Sequence, residues 1–179
     1  MHKTILPMAL MASLMLAACT TVPAADAVNV LANATLTNSA GHNIGSAKIV
    51  QSGQNLLFKA SVTGQTPGEH GIHFHATGKC EAPGFTSAGG HLNPTAHQHG
   101  NLNPAGPHAG DLPNILVASD GTGSIEVQIT GPSATALSNF FDVDGTAIVV
   151  HAGPDDYKTD PSGNSGGRIA CGVLAREPD

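Results

Sequence analysis

Short alternating runs of apolar and polar residues, cut at close intervals by turn residues, predict an all-β fold: an eight-stranded antiparallel sandwich or barrel with two long functional loops. Three observations carry this. No stretch beyond residue 27 shows a convincing helical stripe. The chain holds 22 Gly and 12 Pro, which is turn-rich yet short of a disordered, low-complexity composition. Its 179 residues fit a single domain. With 3% aromatic and 11% charged residues and no Trp, the core is expected to consist of Val, Ile, Leu and Ala.

The elements follow in order. Residues 28–37 and 46–51 read as a hairpin around Asn38-Ser39-Ala40-Gly41. Residues 55–63 and 69–76 read as two strands joined by Gly64-Gln65-Thr66-Pro67-Gly68. Residues 114–119 and 124–130 flank Asp120-Gly121-Thr122-Gly123, a strong hairpin signal. Residues 146–151 and 168–175 complete the eight. Two connections exceed any turn: 77–113, with four histidines, and 152–167, rich in Gly, Pro and Asp. Compact domains seldom carry such long loops without a functional reason, and metal ligation would fix them.

Ahead of this domain, assigned to 28–179, the chain changes character. His2 and Lys3 precede fourteen mostly apolar, uncharged residues, 5–18, too few for a spanning helix. Residues 1–18 therefore read as a signal peptide. Leu16-Ala17-Ala18-Cys19 resembles the bacterial lipoprotein box, which makes Cys19 the lipidated mature N-terminus and 19–27 a tether. An ordinary signal peptide cut after Ala18 or Ala25 is the other reading. Thr20, in place of the Asp that often retains lipoproteins in the inner membrane, points to the periplasmic side of the outer membrane. Membrane contact is then through the Cys19 lipid alone. In that oxidising compartment Cys80 and Cys171 remain as a disulfide pair. Metal-binding thiols are the alternative, but no C-x-x-C spacing supports them.

Seven Lys+Arg against 13 Asp+Glu give a net charge of −6, which argues against a nucleic-acid partner. The compositional outlier is histidine: ten, nine of them beyond residue 40. His73-x-His75 falls on a predicted strand, so both imidazoles share a face and can reach one ion. His91, His99 and His108 follow in the first long loop, with Asp111 three residues on. His151 ends another strand, and Asp155 comes four residues later. A lone histidine is usually a surface or core residue; this set is much harder to dismiss. Imidazole and carboxylate together suit copper and zinc. Six histidines and one aspartate complete two four-coordinate sites only if one imidazole is shared through its two ring nitrogens.

His73-Phe74-His75, Phe85 to His91, His108-Ala109-Gly110-Asp111-Leu112, His151-Ala152-Gly153-Pro154-Asp155-Asp156 and Gly167-Arg168-Ile169-Ala170-Cys171-Gly172-Val173 together resemble copper/zinc superoxide dismutase. The exported bacterial form is the most similar, over residues 28–175. The resemblance implies Greek-key connections and the dismutation of superoxide to dioxygen and hydrogen peroxide, with copper cycling between Cu(II) and Cu(I), in protection of the cell envelope. It makes His73, His75, His91 and His151 the copper ligands. His91, His99, His108 and Asp111 become the zinc ligands, with His91 bridging the two ions and carrying a catalytic proton. His97 competes for the zinc position; the glycine that follows this ligand in the family matches Gly100 and selects His99. Asp155 is implied to link His73 and His99, and Arg168 to stand beside the copper channel. Cys80 and Cys171 match the family disulfide. His70 reads as a hydrogen-bonded structural histidine and His42 as a solvated one.

Superoxide is thus the implied substrate. Bacterial members occur as monomers and dimers, so a homodimer is compatible with the resemblance. A non-catalytic copper- and zinc-binding envelope lipoprotein would use the same ligands but has no need of Arg168. The mature chain keeps six basic and 13 acidic residues, a formal −7 that should repel an anion. Locally, two dications less one imidazolate and Asp111 leave about +2, which a low-dielectric channel would focus.

Overall fold

A computed structural model describes residues 29–178; the signal peptide, Cys19 and the tether of the sequence reading lie outside the described residues. Strands β1 (Asn29–Asn38), β2 (Asn43–Ser52) and β3 (Asn55–Val62) form a meander, each pairing antiparallel with the next. Alternation decides their faces. In β3, Leu56, Phe58, Ala60 and Val62 are buried while the residues between them are partly or fully exposed. Then come β4 (Gly68–His70), β5 (Ile72–His75), β6 (Ile115–Val117), β7 (Gly123–Gln128), β8 (Ala147–His151), β9 (Arg168–Val173) and a short β10 (Ala175–Arg176). The sheet order is β4-β6-β7-β3-β2-β1-β9-β8-β5, with β10 added beside β1. The meander β4, β6, β7 brings β7 back against β3, a Greek-key connection. The two ends of the order, β4 and β5, are separated in the chain by Gly71 alone, so the sheet nearly closes into a barrel.

Three departures from the sequence reading have physical reasons. The strand expected at 69–76 is two, because its halves pair with different neighbours, β4 with β6 and β5 with β8. A helix, α1 (Ser133–Phe140), was not expected; eight residues are too few for a helical period to stand out, yet Ala136, Leu137 and Phe140 pack on the core. The barrel centre is also more aromatic than the composition suggests: Phe74 lies 4.9 Å from Phe58 and 4.6 Å from Phe140, ring centre to ring centre.

β8 is buried on both faces. Ile148 and Val150 enter the barrel, whereas Ala147 and Val149 join Phe85, Ala88, Cys171 and Cys80 in a small outer cluster. That cluster pins the first long loop against the barrel wall, and the Cys80–Cys171 disulfide, Cα to Cα 5.6 Å, fastens it. Among the described residues no helix is long and apolar enough to cross a membrane.

Candidate metal centre

β5 ends the sheet path, and the first long loop covers its free edge. Phe74 N–H donates to Gly110 O at 3.0 Å, Leu92 N–H to Phe74 O at 2.9 Å and Ala76 N–H to Gly90 O at 2.9 Å. These bonds set His91 opposite His75 and Asp111 opposite His73. Gly110 makes the approach possible, since a Cβ there would lie 2.3 Å from Phe74 O. The two-residue period of β5 does the rest: Phe74 points into the core while His73 and His75 share the other face. Where β8 ends, a bulge in β9 leaves Ile169 without a partner, so that His151 pairs across to Arg168.

Two groups result. One nitrogen from each of His73, His75, His91 and His151 lies within 4.8 Å of the others, and all four side chains are buried. Their opposite nitrogens are occupied. His73 Nε2 meets Asp155 Oδ2 at 2.7 Å, His75 Nδ1 donates to Gly89 O at 3.0 Å, and His151 Nδ1 donates to Gly166 O at 3.2 Å. His91 Nδ1 lies 2.8 Å from Asp111 Oδ1. The atoms left over, Nδ1 of His73 and Nε2 of His75, His91 and His151, are buried without a hydrogen-bond partner. Four orphaned lone pairs in one place are costly. A cation that takes nitrogen donors satisfies all four, so the residues fit copper.

The second group is His91, His99, His108 and Asp111. Asp111 Oδ1 faces three ring nitrogens, Nδ1 of His91, His99 and His108, at 2.8, 3.0 and 3.2 Å. Its Oδ2 accepts the N–H of Gly100 at 2.8 Å and of His108 at 3.0 Å, which fixes the carboxylate. Three imidazoles and one carboxylate oxygen fit zinc. Asp155 ties the groups together: beyond its contact to His73, its Oδ1 accepts from His99 Nε2 at 2.9 Å. Such partners fix tautomer and ring orientation.

Electrostatics separate the groups too. Burial, then the neighbouring His91, pushes His75 down to about 2. Burial and His73 push His151 down to about 3. Burial outweighs the Asp111 hydrogen bond and lowers His91 to about 4. The Nε2 lone pairs of His75, His91 and His151 thus stay bare at neutral pH. His99 goes the other way: burial opposes its charge, but Asp111 and Asp155 outweigh burial and raise it to about 9. Burial likewise disfavours the Asp111 and Asp155 charges, yet hydrogen bonds from His91 and His99 to the one, and from His73 and His99 to the other, hold both well below the usual carboxylate range.

A cavity of about 420 Å³ opens over the first group, lined among others by His75, His91, His151, Arg168 and Asp160. Arg168 reaches it from β9, with Nη1 donating to Phe85 O and Nη2 to Gly89 O, each at 2.6 Å. His97 also lines the cavity but is exposed and belongs to neither ligand group; its Nδ1 donates to Pro107 O at 3.1 Å. His70 is buried and donates from Nδ1 to His151 O at 2.8 Å. Lys79 and Lys158 are exposed and do not line the cavity. Sequence reasoning missed Asn114 and Tyr157, which grip Asp155. A sole tyrosine two residues after a ligand-linking aspartate was the available signal.

The family model for copper/zinc superoxide dismutase (SODC) matches residues 43–174. Superoxide dismutase (Cu-Zn) 2 of Aquifex aeolicus is 46% identical over 148 residues, covering 80% of this chain and 85% of its own. The superoxide dismutase (Cu-Zn) of Caulobacter vibrioides is 42% identical over 138 residues, covering 75% and 79%. A crystal structure of a SOD-like protein from Bacillus subtilis superposes with a TM-score of 0.73 at 39% identity, covering 80% of this chain and 97% of that one. With the matched region spanning both donor groups and strands β2 to β9, this chain belongs to the copper/zinc superoxide dismutase family and is an enzyme whose cofactors are copper and zinc.

Proposed function

We propose that His73, His75, His91 and His151 hold copper, that His91, His99, His108 and Asp111 hold zinc, and that His91 bridges them while superoxide is dismuted to dioxygen and peroxide. The observation that supports this most is the set of four buried, partnerless ring nitrogens beneath the cavity. Copper bound there would supply one-electron Cu(II)/Cu(I) chemistry, and zinc a fixed positive charge. The chain's own residues do the remainder. His91 offers Nε2 as the atom that takes up and gives back a proton, while Nδ1 stays held at the Asp111 side. Gly89 O and Gly166 O keep His75 and His151 in the tautomer that bares Nε2. Arg168 places a positive charge at the cavity wall, where it attracts a small anion.

The experiment is a dismutation assay on metal-loaded protein beside a metal-stripped control, with elemental analysis. One copper and one zinc per chain are expected, and His91→Ala should disturb both. A His91→Ala protein that kept native copper and zinc geometry would make the bridging assignment wrong.

The protein's place is proposed to be the cell envelope, exported by residues 1–18 and held through lipid on Cys19 with 19–27 as tether, on the periplasmic side of the outer membrane. The Cys80–Cys171 disulfide supports an oxidising compartment. Cys19→Ser should abolish lipid labelling and release a soluble, active periplasmic form; unchanged membrane association would show that Cys19 is not the anchor.

A further inference from the structure

Tyr157 is the single tyrosine of a chain without tryptophan, and it belongs neither to the ligand groups nor to the cavity wall. It makes three contacts at once. Its N–H donates to Asp155 Oδ1 at 2.6 Å. Its hydroxyl oxygen accepts the Asn114 N–H at 2.8 Å. Its carbonyl accepts the Leu102 N–H at 2.9 Å. Asn114 in turn grips the main chain of Asp155 on both sides, Oδ1 accepting Asp155 N–H at 2.8 Å and Nδ2 donating to Asp155 O at 3.0 Å.

One aromatic residue therefore joins the second long loop to both ends of the stretch from Leu102 to Asn114, which carries His108 and Asp111. The fit is close. A Cβ at Gly100, next to His99, would lie 2.0 Å from Tyr157 O, and Gly100 itself holds φ +96°. Tyr157 adopts φ +61°, a left-handed conformation that a bulky residue keeps only where its surroundings impose it.

We infer that Tyr157 is a positioning residue for the zinc group: its hydroxyl and carbonyl dock the two long loops on each other, and its N–H aims the Asp155 carboxylate that orients His73 and His99. This rests on the assignment of His91, His99, His108 and Asp111 to zinc. Tyr157→Phe isolates the effect, since it keeps the ring and the backbone contacts and deprives only the Asn114 N–H of its acceptor.

The test is a competition titration with Zn²⁺ on the metal-free, disulfide-intact chain, wild type beside Tyr157→Phe, with Co²⁺ absorption as a readout of geometry at the same donors. Loss of one hydrogen bond, a step removed from the ligands, is expected to weaken Zn²⁺ binding by about three- to tenfold. The Co²⁺ spectrum should shift, while far-UV circular dichroism of the metal-free variant stays that of wild type. Wild-type affinity together with a wild-type Co²⁺ spectrum in Tyr157→Phe overturns the inference and leaves the zinc assignment standing. A wild-type chain that binds no Zn²⁺ overturns the assignment and the inference with it. Should Tyr157→Phe fail to fold, the wild-type chain carries the test alone. Its lone tyrosine fluorescence should change along the Zn²⁺ saturation curve, and a signal indifferent to Zn²⁺ overturns the docking role.

Discussion

Arg168 answers two demands with one guanidinium. It lines the cavity above the copper-type histidines, and it also braces the loop that carries Phe85 O and Gly89 O. Gly89 O is shared, because it also takes the His75 Nδ1–H. Removing one charge from the cavity wall is worth roughly 1–3 kcal/mol at an effective dielectric of about 20–40. Arg168→Ala should therefore slow dismutation by about ten- to a hundredfold and flatten its dependence on ionic strength. Arg168→Lys keeps the charge but not the fork that spans two carbonyls. It should retain the salt dependence at a reduced rate. Stopped-flow rates across ionic strength, with copper content measured alongside, check both. A native rate and native salt slope in Arg168→Ala would remove the steering role, whereas copper loss in both variants would make bracing the dominant one.

β5, β8 and the first long loop bury the neutral imidazoles of His75, His151 and His91, and that has a consequence for the metal-free protein. In the unfolded chain His75, His91 and His151 titrate near 6.5; folded, they are pushed down to about 2, 4 and 3. Below pH 6.5 the unfolded chain thus binds more protons, and stability falls with acid. The loss is up to about 1.4 kcal/mol per pH unit for each imidazole, between about pH 6.5 and 4. His99 has the opposite sign: raised to about 9, its contribution is complete below 6.5 and disappears as pH rises through about 9. Metal-free stability should therefore peak between those limits. Denaturant unfolding of the disulfide-intact, metal-free chain from pH 4 to 10 measures it, and a flat profile on the acid side would contradict buried neutral rings.

Across the whole molecule, the Cys80–Cys171 bond joins residues 91 positions apart and ties the first long loop to β9. Closing so long a segment is worth about 4–5 kcal/mol on the chain-entropy account, and natural disulfides cost about 2–5 kcal/mol to remove. Cys80→Ser should destabilise the metal-free chain by an amount in that range. It should also loosen copper binding, since the freed loop presents the carbonyls that hold Arg168 and His75. Chemical denaturation and copper competition measure the two effects. Wild-type values in both would show that the outer cluster around Phe85 holds the loop unaided.

What the sequence by itself determined is whatever rests on residue type and short spacing. Alternation identified the strands, His73-x-His75 placed two rings on one face, and the donor types pointed to copper and zinc. The tertiary structure decided what rests on the backbone and on distant neighbours. It split the run 69–76 between β6 and β8, since a strand's pairing partner is chosen by topology rather than by its own pattern. It gathered His99 with His91, His108 and Asp111 into one group of donors and left His97 at the exposed rim. It also selected Gly89 O, Gly166 O and the Tyr157 N–H to orient the site. Every residue carries a carbonyl and nearly every one an N–H, so no side-chain signature marks which of them a fold will use.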